Sequence, residues 1–241
     1  MTSGVYSRSL RLLEKHLRPV LPRDSRSLLL DAANQVEGSS RGGRPWSLTI
    51  SSARPLRFNS SEEDERIRPD IYCQIVCGDD RLPLKEHSVT LRVWSDAADL
   101  SFRENWDSIR VREKLEAVGV SSRVMMRMHF DRAPLAASEP LFHLQFGGLA
   151  QEAEREICWH PHKLSLPRIP FPPLDLVLAC ELVLANFFPS TYLEKRQESE
   201  WGSLVRHILD DVAKPYYEAI IGWWQLPNPD RRTLLDILWN T

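Results

Sequence analysis

The stretch "IYCQIVCGDDRLPLKEHSVTLRVW", residues 71 to 94, decides the fold class. Apolar residues occupy alternate positions on both sides of its polar "GDDRLP" segment: Ile71, Cys73, Ile75 and Cys77 before it, and Val89, Leu91 and Val93 after it. This period of two is typical of strands that bury one face. Because the connection is too short to contain a crossover helix, the two strands are predicted to pair antiparallel.

The same alternation continues on either side of this stretch. It recurs at Trp46, Leu48 and Ile50, in "RVMMRMHF" (123–130) and in "LFHLQF" (141–146). Helical spacing flanks these strands, with Leu10, Leu13 and Leu17 upstream and a stripe from Trp201 to Val212 downstream. The sequence therefore predicts an α+β fold. Its antiparallel sheet has about five strands, with N-terminal helices and a C-terminal helical region packed on one face.

The chain is predicted to form a single domain over residues 1–241, with a possible hinge in the proline-rich segment 166–173. Helices and sheet would occupy residues 1–165, and residues 174–241 would be helical. Asp175 is expected to cap the helix that follows the hinge. Pro215 is expected to kink or split a later helix. Two more helices are predicted at 101–119 and 230–239.

Composition narrows the functional classes. Thirty-one basic and thirty-three acidic residues give a net charge of -2, so nucleic acid is a possible partner that the charge does not favour. The four cysteines show no disulfide-framework spacing, which indicates reduced thiols and a cytoplasmic location. The longest apolar run, 174–188, contains Asp175, Glu181 and Asn186, so no membrane span is expected.

Histidines are concentrated in one region of the chain. If the segments "RVMMRMHF" and "LFHLQF" form a hairpin, pairing Phe130 with Phe142 matches apolar residues throughout. The same register sets His129 opposite His143 and Arg127 opposite Gln145 on the other face. The two imidazoles are therefore predicted to be neighbours.

Two further histidines, His160 and His162, alternate in the segment "CWHPH" (158–162). Together with His129 and His143 they are candidate ligands of a divalent transition metal, and no other cofactor is expected. A metal-free alternative makes His129 and His143 the general acid and base, with Arg127 holding an anionic substrate. A third interpretation leaves all of them as hydrogen-bonded packing residues.

Trp223 and Trp224 are adjacent, so on a helix they cannot share a face, and one of them is a candidate contact for a protein partner. The histidine hairpin followed by "DLVLACELVLANF" (175–187) resembles bacterial accessory proteins. The favoured function is a non-enzymatic intracellular binding or adaptor protein, an accessory subunit that contacts a protein partner. The alternative is a nuclease or nucleotide-directed hydrolase that uses His129, His143, His160 and His162. The sequence leaves open whether the protein is an enzyme.

Overall fold

The computed structural model describes residues 1–39, 45–78, 84–96, 122–133, 141–147 and 168–225. The chain begins with two helices, α1 (Ser3–Leu17) and α2 (Arg23–Ser39). Seven strands follow: β1 (Trp46–Ile50), β2 (Leu56–Arg57), β3 (Ile67–Cys77), β4 (Leu84–Asp96), β5 (Ser122–Arg132), β6 (Phe142–Phe146) and β7 (Ile169–Pro170). The last described part is helical: α3 (Leu176–Phe187), α4 (Pro189–Gln197), α5 (Ser199–Ile208), a π-helical turn (Leu209–Ala213) and α6 (Lys214–Trp224).

The strands form one antiparallel sheet in the order β1-β3-β4-β5-β6-β7, with β2 also paired to β3. The predicted α+β class and antiparallel pairing are confirmed. Within the described residues the sheet has seven strands where about five were predicted, because β2 and β7 are only two residues long and such short pairings leave no periodic pattern in a sequence. The single-domain organisation stays a prediction, and the first residues of the predicted hinge lie outside the described residues.

One face of the sheet carries the apolar side chains and packs against the helices. The alternating residues of β3 are all buried, and they belong to the same cluster as buried residues of α1, α2, α3 and α5. Tyr6 of α1 stacks on Trp46 of β1, with ring centroids 4.5 Å apart. Burial of this surface is the main favourable contribution to folding. The helices therefore cover the face that the alternation predicts.

A β-bulge in β5 changes the predicted face of one residue. Val93 pairs with Met126, but Trp94 pairs with Val124, so Met125 is an extra residue without a partner across the sheet. Beyond the bulge Val124 lies opposite Trp94, on the other face from the helical core. The sequence prediction placed Val124 with Met126 on the apolar face, and this was wrong because period two does not reveal an inserted residue.

The predicted register of β5 and β6 is also wrong, by two residues. Met128 pairs with Phe146, Phe130 with Leu144 and Asp131 with His143. Backbone hydrogen bonds from Ala133 to Leu141 and from Gly147 to Arg127, each 2.8 Å long, extend the same register at both ends. A shift of two keeps every side chain on its predicted face. Alternation therefore fixed the faces but could not fix the register.

The helical region is interrupted close to Pro215, as predicted. The amide of Lys214 donates to the carbonyl of Leu209 five residues earlier, which closes the π turn. Pro215 has no amide hydrogen with which to continue an α-helical pattern back to Asp211. The helices predicted at 101–119 and 230–239 lie outside the described residues.

The start of α3 is held by two buried polar residues. Asp175 is its N-cap, and its Oδ1 accepts a hydrogen bond of 2.9 Å from the amide of Leu178, so the predicted cap is confirmed. His87 of β4 donates from Nε2 to the carbonyl of Leu174 at 2.7 Å. Among the described helices, none is both long enough and apolar enough to cross a bilayer.

A buried ion pair joins β3 and β4. Asp70 of β3 and Arg92 of β4 are directly opposite each other and are each about 95% buried. The guanidinium donates to both carboxylate oxygens, at 2.8 and 2.9 Å, and Trp94 donates its indole N–H to Oδ2 at 2.8 Å. Burial raises the pKa of Asp70 although Arg92 acts to lower it. The pair is well bonded, as buried charges must be.

We expect Asp70→Asn to lower the free energy of unfolding by about 3 to 5 kcal/mol, because the variant leaves the Arg92 charge buried without its counter-charge. Urea unfolding measures the change. Asp64→Asn, which alters the exposed Asp64–Arg66 pair, is the matched control and should change little. Equal losses in the two variants would contradict a special role for the buried pair.

Candidate functional site

The second face of the sheet, here called the polar face, collects the polar residues that alternate with the apolar ones in β3 to β6. The pairing sets them in three rows across the strands. The rows are Asp70, Arg92 and Arg127; Tyr72, Thr90, His129 and Gln145; and Gln74, Ser88, Asp131 and His143. Three of the residues predicted to form a site therefore do share one face.

This face is not an open surface. Only 4% of Arg127, 9% of His129 and 4% of His143 is accessible to solvent. Polar groups at this depth must be satisfied by hydrogen bonds within the protein. The partners of each side chain therefore decide which chemistry remains available to it.

Arg127 is held against a tyrosine. Its Nη2 donates to the hydroxyl of Tyr72 at 2.5 Å, and its guanidinium carbon lies 6.0 Å from the centre of that ring. Arg92 approaches the same ring at 5.0 Å. Tyr72 thus contacts two buried guanidinium groups, which the sheet register places opposite each other.

Both ring nitrogens of His129 have a hydrogen-bond partner. Nε2 lies 3.1 Å from the carbonyl oxygen of Gly147, and Nδ1 lies 2.9 Å from the hydroxyl of Thr90. Since a carbonyl can only accept, Nε2 carries the hydrogen, and Nδ1 accepts from Thr90. Gly147 has a φ of 76°, a conformation that glycine adopts at little cost. The turn after β6 therefore fixes the tautomer of His129.

These bonds limit what His129 can do. Burial, and then the charge of Arg127, lower its pKa to about 4, so the imidazole is neutral at neutral pH. Its single lone pair, on Nδ1, is already occupied by the Thr90 hydroxyl. In this arrangement His129 donates and accepts within the fold, and binding a metal or taking up a proton requires one of the two bonds to open.

His143 lies opposite Asp131, not opposite His129 as predicted. Ser88 donates a hydrogen bond to Asp131 from the other side, and burial raises the pKa of the carboxyl group although His143, Arg127 and Arg168 act to lower it. Across the three strands the Ser88 hydroxyl, the Asp131 carboxylate and the His143 imidazole follow one another in that order. In a nucleophilic triad the imidazole stands between the other two groups. Ser88 is therefore not activated by His143, but Asp131 can orient the imidazole.

The remaining predicted residues are only partly described. His160 and His162 lie outside the described residues, so the proposed four-histidine metal site stays a prediction. Within the described ranges, no three side chains of histidine, cysteine, aspartate or glutamate are grouped so as to hold a metal ion. Trp223 and Trp224 belong to the last turn of α6, and only their backbone is described.

Sequence analysis missed several residues that organise this face: Asp70, Tyr72, Thr90, Arg92 and Asp131. A signal for the first pair was present, because Asp70 and Arg92 occupy the polar positions of two strands that were predicted to be neighbours. No comparable signal marked Thr90 or Asp131, since their roles depend on the register with β5 and β6.

We expect acid to destabilise the protein partly through His129. Burial lowers the pKa of His129 from an ordinary 6.5 to about 4. The contribution of its neutral form to the free energy of unfolding is therefore complete above pH 6.5 and is lost as the pH falls toward 4. The loss between about pH 7 and pH 5 is about 2 kcal/mol for one such histidine. Urea unfolding of wild type and His129→Gln at both pH values measures it.

His87, whose pKa is also lowered to about 4 by burial, adds a similar loss in both proteins. Asp175 acts in the opposite direction, because burial raises its pKa to about 6. Both contributions cancel when the two proteins are compared. The variant should therefore lose less stability on acidification than wild type by about 2 kcal/mol. An identical pH dependence in wild type and variant would show that His129 is not buried in its neutral form.

The comparisons with known proteins add no assignment to this geometry. No protein-family model, no curated protein and no solved structure matches the chain.

Proposed function

We propose that the protein is a non-enzymatic binding protein that contacts a protein partner through the exposed side of α6. The observation that supports this proposal is a pair of large apolar side chains one helical turn apart. Tyr217 is 49% exposed and Ile221 is 53% exposed. Residues four apart lie side by side on a helix, so the two side chains form one patch.

The patch belongs to a continuous exposed stripe, here called the α6 face. Its members are spaced i, i+3, i+4, i+7, i+8 and i+11, which is one side of a helix. They are Lys214, Tyr217, Glu218, Ile221, Gly222 and Gln225. Leu193 of α4 is more exposed, at 60%, but among the described residues no other large apolar side chain of α4 is exposed, and isolated apolar residues are ordinary on protein surfaces.

Aromatic packing holds this face in a defined position. Tyr216 meets Phe142 of β6 edge to face, with ring centroids 6.1 Å apart, and Tyr217 meets Tyr216 in the same way at 5.5 Å. Phe142 in turn packs against His87 in the sheet. A side chain that is already ordered loses less conformational entropy on binding, so Tyr217 suits a contact residue.

The predicted tryptophan contacts fit the same surface. Trp224 follows Ile221 by three residues, so the helix places its backbone on the side that carries Tyr217 and Ile221. Trp223 lies one residue earlier and about 100° around the helix. Both residues remain part of the proposed interface.

The α6 face predicts a specific pattern of binding losses. Tyr217→Ala and Ile221→Ser should each weaken capture of the partner at least about tenfold, because large apolar residues at the centre of an interface carry most of its affinity. Immobilised wild type and variants are compared for the bands they retain from a lysate. Leu193→Ala is the matched control and should retain every band.

Loss of a band with Tyr217→Ala and Ile221→Ser, but not with Leu193→Ala, supports the α6 face. A band lost equally in all three variants reflects general damage, and bands unchanged in all three place the interface elsewhere. Circular dichroism before each experiment establishes that the variants are folded. Both substituted side chains are about half exposed, so their removal should affect stability little.

A second candidate is the predicted hydrolase, and one observation favours it. Asp131 faces His143 across β5 and β6, so a carboxylate is placed to orient an imidazole as in general acid–base sites. His160 and His162 would complete the site or bind the metal. The depth of His143 argues against ready access for a substrate, and for this reason the binding function is preferred.

The hydrolase candidate predicts phosphodiester hydrolysis that His143→Gln lowers at least about a hundredfold, the usual contribution of general acid–base catalysis. His129→Gln is the control, because that ring is fully engaged in structural bonds, and it should affect mainly stability. Folded wild type with no hydrolysis of phosphodiesters or nucleotides, with or without added divalent transition metals, would rule the candidate out.

A further inference from the structure

Two exposed arginines lie at one corner of the sheet, on the same side as the polar face but at the outer end of its buried rows. Arg57 of β2 is directly opposite Asp70 of β3 and therefore shares its face. Arg68 precedes Asp70 by two residues and lies on that face as well. Both arginines are exposed. Diagonal neighbours on adjacent antiparallel strands are about 7 to 8 Å apart, which is within the combined reach of two arginine side chains.

The carboxylate opposite Arg57 is already engaged. Both oxygens of Asp70 accept hydrogen bonds from Arg92, and Oδ2 also accepts one from the indole of Trp94. Within the described ranges, no carboxylate lies within ion-pair distance of the Arg57 guanidinium. Because Arg92 balances the charge of Asp70, the charge of Arg57 is left to attract an anion from solution.

An aromatic ring adjoins the two arginines. Trp94 of β4 is directly opposite Arg68 and is partly exposed. Its indole N–H donates to Asp70 at 2.8 Å, and the guanidinium carbon of Arg92 lies 4.9 Å from the centre of its ring. These contacts fix the orientation of the ring. A flat ligand that stacks on the accessible part of Trp94 therefore gains contact without ordering another side chain.

We propose that Arg57, Arg68 and Trp94, here called the arginine corner, bind a nucleotide. Its base stacks on Trp94 and its phosphate lies between the two guanidinium groups, whose planar donors match phosphate oxygens. A free nucleotide and a unit of single-stranded nucleic acid share this chemistry. The bases of a duplex stack on one another and are not free to stack on the ring. This site goes beyond the proposed function, because it includes no residue of α6.

The local charge of the arginine corner limits the strength of binding. The net charge of -2 describes the whole chain, whereas binding depends on the potential at the site. In the acidic loop before β3, Glu62 bonds to the start of α4 and Asp64 pairs with Arg66, but Glu63 and Glu65 are exposed. Two cations and one ring also form a small site. We therefore expect a weak complex that salt dissociates.

Fluorescence anisotropy of the full chain at low salt tests the site, with a labelled short single-stranded DNA and a labelled adenosine monophosphate as separate probes. Arg57→Gln should raise the dissociation constant of the strand at least about fivefold. It should also lower the slope of log affinity against log salt by about 0.7, the value for one phosphate contact on a single strand. Arg8→Gln is the matched control and should change both quantities little. Arg8 is also exposed, but it belongs to α1 on the other side of the sheet.

Stacking is tested by replacing Trp94 with leucine and with phenylalanine. Trp94→Leu should weaken binding at least about fivefold, because one base stacked on an aromatic ring contributes that much or more. Trp94→Phe keeps a ring and should bind nearly as well as wild type. Both variants lose the indole bond to Asp70, so the phenylalanine variant controls for damage to the buried ion pair.

The two probes identify the source of the nucleotide. Binding of adenosine monophosphate but not of the strand assigns the arginine corner to free nucleotides, and tighter binding of the strand assigns it to single-stranded nucleic acid. Either result supports the inference if Arg57→Gln weakens binding and Arg8→Gln does not.

Four results overturn the inference: no binding of either probe by wild type, equal effects of Arg57→Gln and Arg8→Gln, equal losses in Trp94→Leu and Trp94→Phe, or equally tight binding of a matched duplex. Each of these leaves the α6 face untested, so failure here is distinct from failure of the proposed function. Displacement of adenosine monophosphate by inorganic phosphate at equal concentration would likewise contradict a stacked base.

Discussion

The architecture depends on the burial of Asp70 and Arg92 as a bonded pair. Removing a charge from water costs several kcal/mol, and the cost is offset only where an opposite charge and further hydrogen-bond partners stand at the right distance. Here the carboxylate receives two guanidinium bonds and one indole bond. A slip of β3 against β4 by one residue would send Asp70 and Arg92 to opposite faces. The pair is therefore compatible with the observed register of β3 and β4 and also helps to specify it.

With this pair buried, the polar face of the sheet is part of the protein interior. Arg127 shares a row with Arg92 and donates to the hydroxyl of Tyr72, and His129 in the next row is bonded to Thr90 and to the carbonyl of Gly147. Such a network rigidifies a fold when every member has a partner. It also gives the neutral imidazole of His129 a hydrogen-bond partner at each ring nitrogen. The chemistry that sequence analysis assigned to His129 is thus limited by structural bonds, and for this reason we base the proposed function on the exposed apolar residues of α6.

Sequence periodicity predicted the parts of the structure that repeat and missed the parts that depend on single residues. Alternation identified five of the seven described strands and assigned nearly every one of their side chains to its face, because period two is a direct consequence of strand geometry. Register between β5 and β6 is fixed by backbone bonds at Ala133 and Gly147, and these leave no pattern. The bulge at Met125 likewise has no signature, and it moved Val124 to the other face.

The candidate site shows the same difference between what the sequence pattern predicts and what depends on single neighbouring residues. Sequence analysis correctly placed Arg127, His129 and His143 on one face, but it could not find that Thr90 and Gly147 occupy the two nitrogens of His129. Those partners come from a different strand and from a turn. Residue identity determines which reactions a side chain could take part in. Its neighbours in the fold determine whether its atoms are available for them.

The π turn between α5 and α6 holds one more residue than an α-helical turn. Each residue of an α-helix advances the direction of a side chain by about 100°. The direction in which Tyr217 and Ile221 point is therefore encoded by the number of residues between Leu209 and Ala213, and not by their identity. A lineage that lost or gained one residue here would keep both side chains and its helical fold, yet present them to a different part of its surroundings. A change in the length of this turn, more than a substitution within it, would therefore redirect these two side chains.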